Sequence, residues 1–208
     1  MKSRIARSSR ARRVTLILMD VDGVLTDGRI RYADGGGEIK TFDARDGAGL
    51  VLARRAGLRT GLISGRGGPA VRRRAIELGL SEIHLRTKDK LAAYLGILKA
   101  GDLEDSQVCY IGDDLVDLPV LARAGLAVAV ADAHAEVRRR VEFVTTARGG
   151  RGAVREVIDA VLQAQGRWDE VVGWFAGRDT DWGKDRPRGR RAAGRSPGRK
   201  VAGRRGRP

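Results

Sequence analysis

Cysteine, histidine and long apolar runs are scarce in this 208-residue chain, and each scarcity closes off a class of function. Cys109 is the only cysteine, so no intrachain disulfide can form, and a reducing compartment fits. Its setting, "QVCYIGDD", has no adjacent His or CxxC partner and reads as a small residue of a buried strand. His84 and His134 are the only histidines, too few and wrongly placed for a zinc site, so structural roles are expected for both. No run of about 18 apolar residues exists to span a membrane. "GRGGPAVR" lacks the GK[ST] ending of a P-loop. The start, "MKSRIARSSRARR", has no apolar core of a secretory signal, which leads us to expect a cytoplasmic protein; its Arg- and Ser-rich, acid-free composition also fits an organelle transit peptide.

What the chain has in excess is positive charge, a net +15. Residues 1–13 hold six Lys or Arg and no acid, and residues 178–208 hold twelve against Asp179, Asp181 and Asp185. These two ends account for the whole excess, because residues 14–177 carry 23 basic and 23 acidic side chains. The expected organisation is a basic disordered arm over 1–13, a neutral folded domain over 14–177 and a basic disordered tail over 178–208. Two uses of the ends stay open: solvated extensions without a partner, or arms that bind nucleic acid or another polyanion with steep salt dependence.

Within the neutral body, short apolar runs alternate with helical stretches. Strands are expected at 14–19, 58–63, 82–85, 107–111, 126–130 and 142–145, and helices near 47–56, 69–78, 89–100, 117–124, 133–140 and 152–165. Pro69 suits a first helical turn, and Gly57, Gly79, Gly101 and Gly125 stand where helices should stop. The pattern predicts an α/β fold with a doubly wound, Rossmann-like parallel sheet covered on both faces. "RIRYADGGGEIKTF" (29–42) breaks the rhythm as a β-hairpin inserted after the first strand; its apolar side has no obvious cover, which suggests packing against another copy of the chain. "GRWDEVVGWFA" (166–176) reads as a short amphipathic extension that docks through Trp168, Trp174 and Phe175.

In such a sheet, ligands bind beyond the carboxyl ends of the strands. The first strand ends in Asp20 and Asp22, the second in Ser64, and "QVCYIG" in Asp113, Asp114 and Asp117; Lys90 opens the helix before that last strand. Clustered Asp oxygens repel unless a cation sits among them, and a few hard oxygens suit Mg²⁺. Phosphoryl transfer uses such a metal together with Ser and Lys donors on the phosphoryl oxygens. An Asp carboxylate can attack phosphorus, and a second Asp can protonate the leaving oxygen and then activate water. Each short motif alone has an ordinary explanation as a turn, a helix cap or a surface lysine. That ordinary explanation is kept for Lys88 and Arg66.

"DVDGVLTDG", "SGR", "DK" and "GDDLVD", in this order and at strand ends, resemble the four motifs of the haloacid dehalogenase superfamily. The resemblance implies that Asp20 is the nucleophile and a metal ligand. It makes Asp22 the acid/base, lending its backbone carbonyl to the metal, and an Asp at that position marks phosphotransferases rather than dehalogenases. It implies that Ser64 and Lys90 bind the phosphoryl group and that Asp113 is the remaining direct metal ligand, with Asp114 and Asp117 in support. Residues 23–63 and 65–89 leave no room for the cap domain that covers most sites of this superfamily.

A capless body with this hairpin, "FDARDGAGL", "GDDLVDLPVL" and "GGRGAVREVID" is similar to the 3-deoxy-D-manno-octulosonate 8-phosphate phosphatase family over about residues 14–166. That resemblance implies a Mg²⁺-dependent phosphomonoesterase acting on a phosphorylated 2-keto sugar acid, in the pathway that supplies lipopolysaccharide. It also implies a homotetramer in which hairpins meet at the centre and neighbours complete each site, and a closing segment at "RGGRG" (148–152). One departure concerns the stretch before the motif lysine: "IHLRTKDK" replaces the usual Gln-Gly pair, so the sugar stays open, with sialic-acid-type 9-phosphates or a macromolecular phosphate as alternatives.

Overall fold

A computed structural model of the chain describes residues 4–176. The tail 178–208 lies outside the described residues.

Six short apolar runs form one parallel sheet: β1 (Leu16–Met19), β4 (Arg59–Ile63), β5 (Glu82–His84), β6 (Val108–Gly112), β7 (Leu126–Ala129) and β8 (Phe143–Val144). Their spatial order is β5-β4-β1-β6-β7-β8. All six match the strands expected from the sequence. β1 and β6 are buried along their whole length, which explains why both read as unbroken apolar runs rather than alternating ones.

The helices are α1 (Ser9–Arg13), α2 (Ala44–Arg55), α3 (Pro69–Glu77), α4 (Lys90–Gly101), α5 (Leu118–Leu121), α6 (Ala135–Arg140), α7 (Ala153–Ala164) and α8 (Trp168–Phe175). The chain winds outward from β1 through β4 to β5, then returns to lay β6, β7 and β8 on the other side. Right-handed crossovers in opposite directions place helices on both faces. β1 and β6 are neighbours whose onward connections diverge, so a crevice opens beyond their carboxyl ends.

Two strands stand outside the sheet, β2 (Arg31–Tyr32) and β3 (Glu38–Ile39), paired antiparallel as the inserted hairpin. Its turn needs glycine, since Gly36 and Gly37 have φ of 81° and 99°. No separate cap domain is present among the described residues.

The N-terminal arm corrects an expectation. Residues 4–13 are not disordered but form a 3₁₀ turn (Ile5–Arg7) and α1, both packed on α7. Ile5, Ala6 and Ala11 are buried, and the Gln165 amide donates to the carbonyls of Ala11 (3.3 Å) and Val14 (2.8 Å). Ser8 caps α1 by accepting from the Arg10 N–H, and Arg10 pairs with Glu142 at 3.0 Å. Three apolar side chains scattered among the five arginines of residues 4–13 help to dock the segment; composition averages hid them. At the other end, Trp168 and Trp174 pack against the core as expected, whereas Phe175 remains 59% exposed.

Ile5→Ala should therefore cost about 2–3 kcal/mol in urea unfolding, where a disordered arm would give no change.

Candidate active site

The crevice beyond β1 and β6 collects the acids. Asp20 follows β1 directly, its N–H donating to the Ile111 carbonyl of β6 at 3.0 Å, and Asp113 follows β6. One carboxylate oxygen each from Asp20, Asp113 and Asp117 lies within 4.8 Å of the others. Lys90, at the start of α4, reaches into them: Nζ is 2.9 Å from Asp20 Oδ2 and 2.7 Å from Asp117 Oδ1. Asp20, Asp117 and Lys90 are all buried.

Asp117 is the most fully satisfied member. Its Oδ1 also accepts from the Tyr110 hydroxyl at 2.7 Å, and its Oδ2 accepts from the Asp113 N–H (3.0 Å) and the Asp114 N–H (3.4 Å). It is thereby a brace that shapes the turn after β6 and anchors Lys90. Asp114 is exposed and caps that turn through the Leu115 N–H. Asp113 differs, because its Oδ1 is buried and accepts no hydrogen bond among the described residues. A buried carboxylate oxygen without a donor is costly.

The electrostatics agree. Burial first, and then the Asp20 and Asp117 carboxylates, push the Asp113 carboxyl up to about 8. Burial and Asp117 raise Asp20 to about 6 against the opposing pull of Lys90. Burial alone would lower Lys90, but Asp20 and Asp117 outweigh it and hold the ammonium above the ordinary lysine range. Three carboxylates against one ammonium, with an orphaned oxygen among them, fit a hard divalent cation held by Asp20 and Asp113.

Asp22 does not join this cluster by its side chain. Its Oδ1 accepts from Lys40 Nζ of the hairpin, and Arg66 Nε stands 3.9 Å from its Oδ2. The sequence motif asked only its backbone carbonyl to meet a metal. Ser64 is buried at the end of β4, beside β1, where its Oγ accepts from the Arg66 N–H at 3.3 Å. Lys88 is exposed, as expected. Cys109 is fully buried, and burial raises its thiol well above the ordinary range. His134 caps α6, and His84 lies 3.3 Å from Glu82.

Two features of the rim escaped the sequence. Lys40 gave no signal beyond its alternation with Glu38 in the hairpin, and Arg66 was given an ordinary surface role. The second feature is a steric interlock. Gly23, at φ 90°, lies so close to Asp113 that a Cβ there would collide with the carboxyl group. The loop before α7 sits on the same turn: Gly150 N–H donates to the Val24 carbonyl at 2.8 Å, and a Cβ on Gly149 would strike the Gly23 carbonyl. Asp132 holds that loop by accepting from the Gly149 N–H at 2.9 Å.

Residues 74–158 match the family model of haloacid dehalogenase-like hydrolases. The chain is 42% identical over 165 residues to the 3-deoxy-D-manno-octulosonate 8-phosphate phosphatase KdsC of Escherichia coli K12, covering 79% of this chain and 88% of that protein. It belongs to that phosphatase branch of the haloacid dehalogenase-like hydrolases. Membership makes it a phosphoric monoester hydrolase. Solved relatives share the fold. The Moraxella catarrhalis phosphatase, described in complex with magnesium ion, phosphate ion and KDO, superimposes with a TM-score of 0.79 at 40% identity, covering 82% of this chain and 97% of that one. A cobalt-bound Haemophilus influenzae phosphatase superimposes with a TM-score of 0.74 at 40% identity, covering 77% and 94%. No helix among the described residues is long and apolar enough to cross a membrane.

A cation must displace protons from carboxyls at about 6 and about 8, so its affinity should rise with pH across that window. Calorimetric Mg²⁺ titrations in buffers of different ionisation enthalpy should show release of about one proton at pH 7.

Proposed function

We propose that the chain is a Mg²⁺-dependent phosphomonoesterase whose substrate is a phosphorylated 2-keto sugar acid of the 3-deoxy-D-manno-octulosonate 8-phosphate type. The observation that carries this is the trio of buried Asp20, half-buried Asp113 and buried Asp117 around Lys90, with an Asp113 oxygen left without a donor among the described residues, at the switch point of the sheet. The names of the relatives supply the substrate class.

Bound between Asp20 and Asp113, with the Asp22 backbone carbonyl as a further ligand, Mg²⁺ would supply charge to offset that of the phosphoryl oxygens. The remaining steps belong to side chains. The Asp20 carboxylate attacks phosphorus in line; the bond from phosphorus to the sugar oxygen breaks, and Asp22 gives that oxygen a proton. Ser64 Oγ and Lys90 Nζ donate to the phosphoryl oxygens, and Lys90 keeps Asp20 ionised for the attack. Asp22, now a carboxylate, takes a proton from water, which attacks phosphorus and releases Asp20 and inorganic phosphate. Asp114 and Asp117 act in support, shaping the turn that carries Asp113.

A homotetramer follows from the same proposal. In the single chain, Ile30, Tyr32 and Ile39 of the hairpin are 45%, 72% and 50% exposed, and a neighbouring copy would cover them and help close an open site.

Asp20→Asn should abolish turnover of the sugar phosphate, a loss of at least about 10³-fold, while circular dichroism stays unchanged; normal rates in that variant would refute the nucleophile. Ser64→Ala should retain measurable activity, chelation of the metal should remove it, and deletion of residues 178–208 should leave it intact. Size-exclusion chromatography with light scattering tests the tetramer; a monomer at micromolar concentration rules it out.

A further inference from the structure

The Lys40 side chain bonds the hairpin directly to the chemistry. Along β3 and the residue after it, alternation sends Glu38 and Lys40 to one side and Ile39 to the other. Ile39 is 50% exposed, whereas the Lys40 side chain is 3% exposed. Lys40 Nζ donates to Asp22 Oδ1 and lies 3.0 Å from Glu38 Oε1. Arg66 holds the same Glu38 oxygen at 3.0 Å, so Lys40 is braced from behind. Among the described residues nothing donates a hydrogen bond to Asp22 Oδ2, and Arg66 Nε at 3.9 Å is beyond hydrogen-bond reach of it.

A carboxyl group that serves as an acid must hold its proton on one oxygen and be fixed by the other. A solvated Asp without such a bond has no such preference. Here a charge-assisted bond occupies Oδ1 only. We propose that Lys40 is the positioning residue for the acid step, fixing Asp22 through Oδ1 so that the transferable proton resides on Oδ2. This rests on the assignment of Asp22 as the acid. In the step concerned, the bond from Asp20 to phosphorus forms and the bond from phosphorus to the leaving oxygen breaks. The electron pair stays on that oxygen, which takes the proton from Asp22 Oδ2, and Lys40 keeps all of its own. Capped relatives close a separate domain over the site, whereas here an insertion of two short strands delivers the orienting cation.

The consequence is specific. An acid matters most when the leaving oxygen is basic, and little when the departing group is already stable as an anion. The test is kcat/KM of wild type, Lys40→Met and Lys40→Arg with saturating Mg²⁺ on alkyl phosphate, phenyl phosphate and p-nitrophenyl phosphate. This parameter reports steps up to formation of the phosphorylated Asp20 and excludes its hydrolysis, in which Asp22 also acts. Lys40→Met should lose about 10–100-fold on the alkyl ester and under about threefold on the p-nitrophenyl ester, with Lys40→Arg between it and wild type. The readout is the ratio between substrates, which does not depend on how much of the variant is folded. An equal loss on every ester, or no loss on any, overturns the proposal. If Asp20→Asn is inactive and the Lys40→Met ratio is unchanged, only the role of Lys40 falls; if Asp20→Asn is active, the underlying phosphatase assignment falls with it.

Discussion

The Lys90 ammonium, held between Asp20 and Asp117, is the contact on which the crevice depends. Without it, the buried Asp20 and Asp117 side chains would face each other with no positive charge between them. Stripping one partner from a buried pair of this kind typically costs about 3–5 kcal/mol. The pairing is asymmetric in a useful way. Asp117 is saturated by Tyr110 and two backbone N–H groups besides Lys90, whereas among the described residues Asp20 accepts only from the Val21 N–H and Lys90. The arrangement stops one cation short of neutrality, and that deficit gives the metal a defined place.

Much of this was legible from residue order alone. Unbroken apolar runs that end in Asp20 and Asp113 identified strands buried on both faces, and the rule that ligands bind at the carboxyl ends of such strands turned a list of motifs into one location. Asp114 and Asp117 look alike in sequence. Only coordinates separate an exposed cap from a buried brace, because the distinction lies in which way a turn of three residues rolls. The N-terminal segment was misjudged because charge density was averaged over thirteen positions, while docking buries Ile5, Ala6 and Ala11 and adds the Gln165 and Arg10 contacts. Lys40 was invisible for a different reason. Its partner Asp22 is 18 residues away, and no local pattern reports a long-range ion pair.

The hairpin therefore has two faces with separate consequences. One carries Lys40 and Glu38 into the site; the other carries Ile39 outward, where a second chain would meet it. Any displacement of the strands by a neighbour would be felt at Asp22 through Lys40 and, by way of Glu38, through Arg66. Assembly and chemistry would be linked in this way without a moving lid.

The interlock of Gly23 with Asp113, and of Gly149 with Gly23, has an evolutionary consequence. Three segments distant along the chain share one small volume, so none of these positions can drift to a larger side chain unless another retreats at the same moment. Single-step searches from this sequence are walled in at these sites, and new specificities must arise farther out on the rim.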